Sequence, residues 1–92
     1  MTYRIETPAR FLRQARKFFR QHPELRERFA VLLEALRQDP FQPQLRLHPL
    51  AGELDGLHAV SLTYAYRVTL VLEVTEQAIT LIDIGDHDEV YR

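Results

Sequence analysis

The spacing of the apolar residues changes halfway along the chain, and this change limits the possible folds more than any other sequence feature. Between residues 7 and 38 apolar side chains recur every three or four positions, as in amphipathic helices. Between residues 57 and 84 the chain is rich in Val, Ile, Leu and Thr, and its longest run alternates, as in strands. The sequence therefore predicts an α+β fold with helices packed on one face of a small sheet.

A first helix is predicted after a short extended start at residues 2–6. Thr7 is expected to be the N-cap and Pro8 the first helical residue, and the helix should run to Arg20. Its apolar face consists of Phe11, Leu12, Ala15, Phe18 and Phe19. Its opposite face, which we call the cationic helix face, consists of Arg10, Arg13, Arg16, Lys17 and Arg20.

A second helix is predicted to begin at Pro23 and Glu24, directly after the break that His22 and Pro23 make. It should run to about Gln38, where Asp39 and Pro40 end it. Its apolar stripe consists of Leu25, Phe29, Leu32, Leu33 and Leu36. Because the break is short, the two helices should pack as an antiparallel hairpin.

Three strands are predicted in the second half, at residues 57–63, 66–74 and 78–84. Residues 41–47 form a proline-containing connection that we expect to become extended near Leu45. In the middle strand Tyr66, Val68, Leu70, Leu72 and Val74 alternate with Arg67, Thr69, Val71 and Glu73. The first set should cover the helices and the second should meet solvent or a ligand. The predicted order is β-α-α-β-β-β, with a largely antiparallel sheet.

Length and composition exclude several classes of protein. The 92 residues suit one domain, spanning residues 1–92, and the lack of cysteine excludes disulfide scaffolds, Cys-based zinc sites and thiol catalysis. No apolar run approaches the ~18 residues of a membrane helix, and the first residues contain no apolar signal region. We therefore expect a soluble cytoplasmic protein.

The charges are distributed unevenly along the chain. Residues 1–46 carry ten basic and five acidic side chains, whereas residues 47–92 carry two basic and eight acidic ones. The resulting net charge of −1 argues against tight non-specific binding to nucleic acid, but it permits a basic surface on one element.

Several segments that follow the helical hairpin carry a family resemblance. They are His48-Pro49-Leu50-Ala51-Gly52, then Leu57, then Tyr66-Arg67-Val68, and finally residues 82–91, Ile-Asp-Ile-Gly-Asp-His-Asp-Glu-Val-Tyr. In this order and at this length the chain resembles the RelE/ParE superfamily of bacterial type II toxins, in particular its YafQ- and RelE-like branch. The resemblance implies the fold predicted above. It also implies one of two activities: ribosome-dependent cleavage of mRNA without a metal, or non-enzymatic inhibition of DNA gyrase in the ParE-like branch.

Cleavage of RNA by its own 2′-hydroxyl needs a base, a cation to stabilise the phosphate and an acid for the leaving oxygen. The resemblance implies His48 as the base, Arg67 as the cation and His87 as the acid. Tyr91 would position the substrate or stack on a base. Arg67 is the only arginine or lysine between Arg46 and Arg92, and its guanidinium group can hold a phosphate through two hydrogen bonds.

Each of these residues also has a purely structural interpretation. Arg67 could pair with Glu73 or Asp83 on the sheet, and His48 could be a turn residue beside a strand end. His87 could be a solvated residue of a charged turn, and Tyr91 could pack on the sheet edge. His22 and His58 are interpreted as structural, His58 as a partly buried, hydrogen-bonded strand residue.

The sequence therefore favours a toxin that cleaves mRNA to a 2′,3′-cyclic phosphate and a 5′-hydroxyl. Its expected partners are a cognate antitoxin, with which it could form a hetero-oligomer, and the ribosome with its mRNA. The cationic helix face could dock on ribosomal RNA or on an acidic antitoxin segment. No cofactor is expected, and the carboxylates of residues 83–89 are expected to be solvated rather than to bind a metal. The alternatives are a gyrase inhibitor and a degenerate toxin that only binds its antitoxin.

Overall fold

The computed structural model describes residues 2–86 and contains two α-helices, α1 (Ala9–Gln21) and α2 (Arg26–Gln38). The prediction that Thr7 caps α1 was wrong by one residue. Pro8 is the N-cap, because its backbone is still extended (ψ 156°) while its carbonyl accepts the first helical hydrogen bond from Leu12 N–H at 3.0 Å. No side chain caps this end of the helix.

A 3₁₀ turn at Pro23–Leu25 separates the two helices, so α2 begins later than the sequence predicted. The turn is closed by a hydrogen bond from Leu25 N–H to His22 O at 3.0 Å. The helices pack through their aromatic residues, since the ring of Phe29 lies 6.2 Å from Phe11 and 5.1 Å from Phe19 between centroids. No helix among residues 2–86 combines the length and apolarity needed to cross a membrane.

Five strands form a single sheet: β1 (Arg4–Glu6), β2 (His48–Pro49), β3 (His58–Ser61), β4 (Tyr66–Glu73) and β5 (Ala78–Asp86). Their order is β1-β5-β4-β3-β2, with β1 parallel to β5 and every other pair antiparallel. The predicted α+β class and largely antiparallel sheet are therefore confirmed. Strand β2 was not predicted, because two residues are too few to show an alternating pattern.

The connection before β2 is not extended near Leu45, contrary to the prediction. Pro43–Leu45 form a 3₁₀ turn, and Arg46 follows in the left-handed region with φ 54°. The turn directs the Leu45 side chain into the core, where it is buried. Burial of this one leucine outweighs the extended preference of the surrounding residues.

The face of the sheet that packs on the helices is apolar throughout its centre. Its most deeply buried members are Val60, Val68, Leu70, Ile79, Leu81 and Ile84, which pack against Phe11 and Leu36 of the helices. Leu81 and Ile84 share this face although they are three residues apart. A bulge explains the spacing, because Thr69 pairs with Asp83 while Leu70 pairs with Leu81, which leaves Ile82 as an extra residue.

Candidate functional site

The opposite face of the sheet, which we call the polar face, carries the candidate site. It consists of His48, Ala59, Ser61, Arg67, Thr69 and Asp83. Cross-strand pairs share a face, so the pairs His48–Ala59, Ala59–Thr69 and Thr69–Asp83 form one row across four strands. Ser61, Arg67 and Gly85 form the next row along the strands.

The polar face, which the sequence predicts to meet solvent or a ligand, is not solvated at its centre. Thr69 is 2% exposed and Ala59 is 0% exposed, while Arg67, Ser61 and His48 around them are half-buried. Ala59 and Thr69 are short side chains on inner strands, with neighbouring strands on both sides. The ionisable groups of this face therefore surround a centre from which water is excluded.

His48 is oriented by the chain that precedes it. The left-handed backbone of Arg46 turns its carbonyl toward the imidazole, and His48 Nδ1 lies 2.8 Å from Arg46 O. A carbonyl oxygen only accepts hydrogen bonds, so this contact assigns the proton to Nδ1. In the neutral ring the basic nitrogen is then Nε2. Nε2 is therefore the nitrogen through which His48 would act as a general base.

Arg67 is held by backbone carbonyls rather than by a carboxylate. Its Nη1 donates to Thr63 O and Tyr64 O at 3.1 Å each and to Tyr66 O at 3.5 Å. The structural interpretation, a pair with Glu73 or Asp83, is not observed, because within the described part of the chain Arg67 forms no salt bridge. Carbonyls therefore fix the guanidinium in place, and no carboxylate among residues 2–86 neutralises its charge.

The geometry brings His48 and Arg67 onto the same face but not into contact. They are two strands and two residues apart, so strand spacings of about 4.8 Å and 3.4 Å per residue place their α-carbons roughly 12 Å apart. One phosphodiester could lie between side chains of these lengths. Gly85 pairs with Arg67, and β5 ends one residue later. His87 and Tyr91, the other two predicted site residues, lie outside the described residues.

A depression of about 230 Å³ adjoins Arg67 at the end of the β3–β4 hairpin. We call it the arginine pocket, and its polar lining includes Arg28, Arg46, Arg67, Ser61 and Gln44. Sequence reasoning did not assign functions to Arg28 and Arg46. A signal for Arg28 was present, since it lies three residues after Leu25 and four before Leu32 and so interrupts the apolar stripe of α2.

The remaining histidines of the described chain have structural surroundings. His22 stacks on Phe18 and Tyr66, each 4.8 Å away between ring centroids, and its Nε2 lies 3.3 Å from the Tyr66 hydroxyl. His58 is half-buried on the helix-covered face, as expected, but its Nδ1 is buried without the expected hydrogen-bond partner among residues 2–86.

The cationic helix face is solvent-exposed along the whole of α1, as predicted for Arg10, Arg13, Arg16, Lys17 and Arg20. Within residues 2–86 no three His, Cys, Asp or Glu side chains are grouped so that they could hold a metal ion.

No protein-family model matches the sequence, and none of the curated proteins matches it either. The fold, in contrast, is shared with several solved toxins. A chain of the E. coli DinJ–YafQ toxin–antitoxin complex superposes with a TM-score of 0.78 at 14% identity, over 100% of both chains. YafQ from E. coli strain BL21(DE3) gives a TM-score of 0.72 at 14% identity, over 98% of this chain and 99% of that one.

A YoeB/ParE toxin from Agrobacterium tumefaciens also gives a TM-score of 0.72, at 17% identity, over 91% of this chain and 98% of that one. These matches confirm the predicted fold, which this chain shares with the YafQ and YoeB/ParE toxins. At such low identity the likeness concerns the fold alone.

Proposed function

We propose that this chain, which has the fold of the YafQ and YoeB toxins, is the toxin of a type II toxin–antitoxin pair and cleaves mRNA on the ribosome. One observation carries the proposal: His48, with its proton on Nδ1, shares the polar face with Arg67, which forms no salt bridge among residues 2–86. A base and a cation on one surface are what attack by a 2′-hydroxyl requires.

The proposed reaction uses side chains only. His48 Nε2 removes the proton from the 2′-hydroxyl, and the resulting oxygen attacks the adjacent phosphorus. Arg67 stabilises the charge that develops on the phosphate oxygens, through guanidinium donors other than those bound to carbonyls. The bond from phosphorus to the 5′-oxygen breaks, and His87 supplies the proton for that oxygen. The products are a 2′,3′-cyclic phosphate and a 5′-hydroxyl, and Tyr91 positions the substrate.

The proposed partner in the cell is an antitoxin, by analogy with the DinJ–YafQ complex whose toxin chain has the same fold. The cationic helix face suits an acidic antitoxin segment, because its five cations are all exposed on one side of α1. Binding of this kind would weaken as the salt concentration rises.

Primer extension on translated mRNA tests the chemistry. We expect His48→Gln, Arg67→Gln and His87→Ala each to lower cleavage by about 10²–10⁴-fold, the usual contribution of one acid–base or charge-stabilising group. Antitoxin binding should survive in all three variants. Arg4→Gln is the matched control for Arg67→Gln, since it removes the same charge at an exposed position on β1, the opposite edge strand.

Two outcomes would contradict the proposal. Growth arrest with broken chromosomes and a DNA-damage response, but with intact mRNA, would indicate a gyrase inhibitor. No growth defect at any expression level would indicate a degenerate toxin that only binds its antitoxin. Full cleavage by both His48→Gln and Arg67→Gln would remove the catalytic assignment while leaving the fold unaffected.

A further inference from the structure

We infer that the arginine pocket is a second phosphate site, which binds the RNA backbone phosphate next to the one that is cleaved. The inference rests on the proposed function and adds to it a substrate-positioning role for Arg28 and Arg46. Three arginines from three separate elements line it: Arg28 from α2, Arg46 from the turn before β2, and Arg67 from β4.

Two of the three guanidinium groups are anchored on consecutive carbonyls of the hairpin. Arg28 Nε donates to Leu62 O at 2.8 Å, and Arg67 Nη1 donates to Thr63 O at 3.1 Å. These hydrogen bonds fix the direction of both side chains, but a carbonyl does not cancel a charge. Neither Nη group of Arg28 makes a hydrogen bond within residues 2–86, so both remain available to a ligand.

Arg46 connects the pocket to the candidate base. Its carbonyl accepts the hydrogen bond from His48 Nδ1, and the residue also lines the pocket. Within the described range the Arg46 side chain has no hydrogen-bond or salt-bridge partner, although its left-handed backbone (φ 54°) is an uncommon conformation for arginine. The same residue therefore positions the base and presents an unpaired cation beside it.

Within residues 2–86 no carboxylate of the pocket lining balances its positive charge. Among the described residues that line it there are three arginines and no carboxylate. Two arginines outside the pocket do have acidic partners: Glu6 for Arg4 at 3.2 Å and Glu34 for Arg37 at 2.8 Å. Positive charges that line one pocket repel one another in the free protein, and a bound anion would relieve that repulsion.

The size and place of the pocket suit a phosphate of a single RNA strand. Its volume is about 230 Å³, and Ser61 and Gln44 add polar groups to its lining. The row of Ser61 and Arg67 lies two residues along the strands from the row of His48, which is about 7 Å. This displacement is comparable with one nucleotide step, so Arg67 could contact both phosphates.

Binding of an uncleavable single-stranded RNA tests the inference. The probe is a fluorescent 2′-O-methyl hexanucleotide, whose affinity is measured by anisotropy over a series of KCl concentrations. We expect Arg46→Gln to weaken binding roughly tenfold, as for a lost charge-assisted hydrogen bond. The slope of log affinity against log salt should fall by about 0.7, which is one phosphate contact on a single strand.

Two further variants provide the controls. Arg46→Lys should keep the salt slope of the wild type, because the charge remains, and it should recover part of the affinity. Arg4→Gln removes the same charge about two strands and six residues from Arg67 and should bind like the wild type. The effect of Arg46→Gln should also be equal for hexanucleotides of different sequence, since a phosphate contact does not read bases.

Equal binding by Arg46→Gln and Arg4→Gln would overturn the inference, as would a wild-type chain that does not bind the hexanucleotide. A salt slope that Arg46→Lys does not restore would also contradict it. The proposed function fails separately: a chain that leaves mRNA intact, yet shows this dependence on Arg46, keeps the phosphate site and loses the ribonuclease assignment. A chain that cleaves mRNA but binds RNA independently of Arg46 loses only the phosphate site.

Discussion

The two faces of the sheet are built in different ways. On the helix-covered face any well-fitting apolar side chain contributes, and the fold tolerates a bulge between Thr69 and Leu70 because the buried set remains apolar. On the polar face the candidate chemistry depends on individual atoms, such as the nitrogen of His48 that carries a proton or the carbonyl that Arg67 contacts. The first face accounts for the stability of the fold, and the second for a candidate chemistry.

The largest effect on stability that would distinguish the two faces is expected from Leu70→Ala in the middle of β4. Leu70 is 0% exposed, and removal of its side chain leaves a cavity against the helices. We expect a loss of about 3 kcal/mol in the free energy of unfolding, measured by urea denaturation. Val71→Ala, next to it but half-buried on the other face, is the control and should cost about 1 kcal/mol or less. Equal costs would contradict the assignment of the stability to the helix-covered face.

The sequence was sufficient to predict the helix-covered face, because that face depends on apolar character, which many residues share. The alternation of Val68 and Leu70 with polar neighbours placed β4 correctly, and Asp39 with Pro40 placed the end of α2. Errors in single residues, such as the cap of α1, did not alter the packing of the whole element.

The sequence was insufficient for the polar face because its contacts join residues that are distant in the chain. Arg28 meets the Leu62 carbonyl across 34 positions, and no local pattern predicts such a contact. The left-handed conformation of Arg46 was also hidden, since left-handed backbone is usually signalled by Gly or Asn and here occurs at an arginine. His48 and Arg67 were identified through the family resemblance, and the polar face that they share became visible only with the strand pairing.

A smaller effect of opposite sign is expected from Thr69→Val at the buried centre of the polar face. Thr69 Oγ1 is buried and has no hydrogen-bond partner within residues 2–86, so folding removes it from water without compensation. Valine keeps the branched shape and has no hydroxyl to desolvate. We expect a gain of about 1 kcal/mol in the free energy of unfolding. Ser61→Ala, at a half-buried polar position, is the control and should change stability less. A destabilised Thr69→Val would show that the hydroxyl has a partner in the folded chain.

The smallest effect concerns an arginine whose charge is neutralised, in contrast to Arg67. On α2 the hydrogen bond from Arg37, followed by that from Gln38, lowers the pKa of Glu34 from its ordinary value of 4.5 to about 2. Because the folded protein favours the carboxylate, the contribution of Glu34 to stability is complete above pH 4.5 and is lost as the pH falls toward 2. The contribution is small, since the pair is exposed to solvent.

The comparison of Glu34→Gln with the wild type over a pH series of thermal melts measures this contribution. The variant should melt slightly below the wild type at neutral pH, and the two melting temperatures should converge as the pH falls from 4.5 to 2. Arg67→Gln should show no such convergence, because Arg67 is bound to carbonyls that do not titrate. A difference for Glu34→Gln that persists unchanged at pH 2 would mean that packing, and not charge, joins Arg37 to α2. In that case, charge neutralisation would no longer distinguish Arg37 on the helix surface from Arg67 on the polar face.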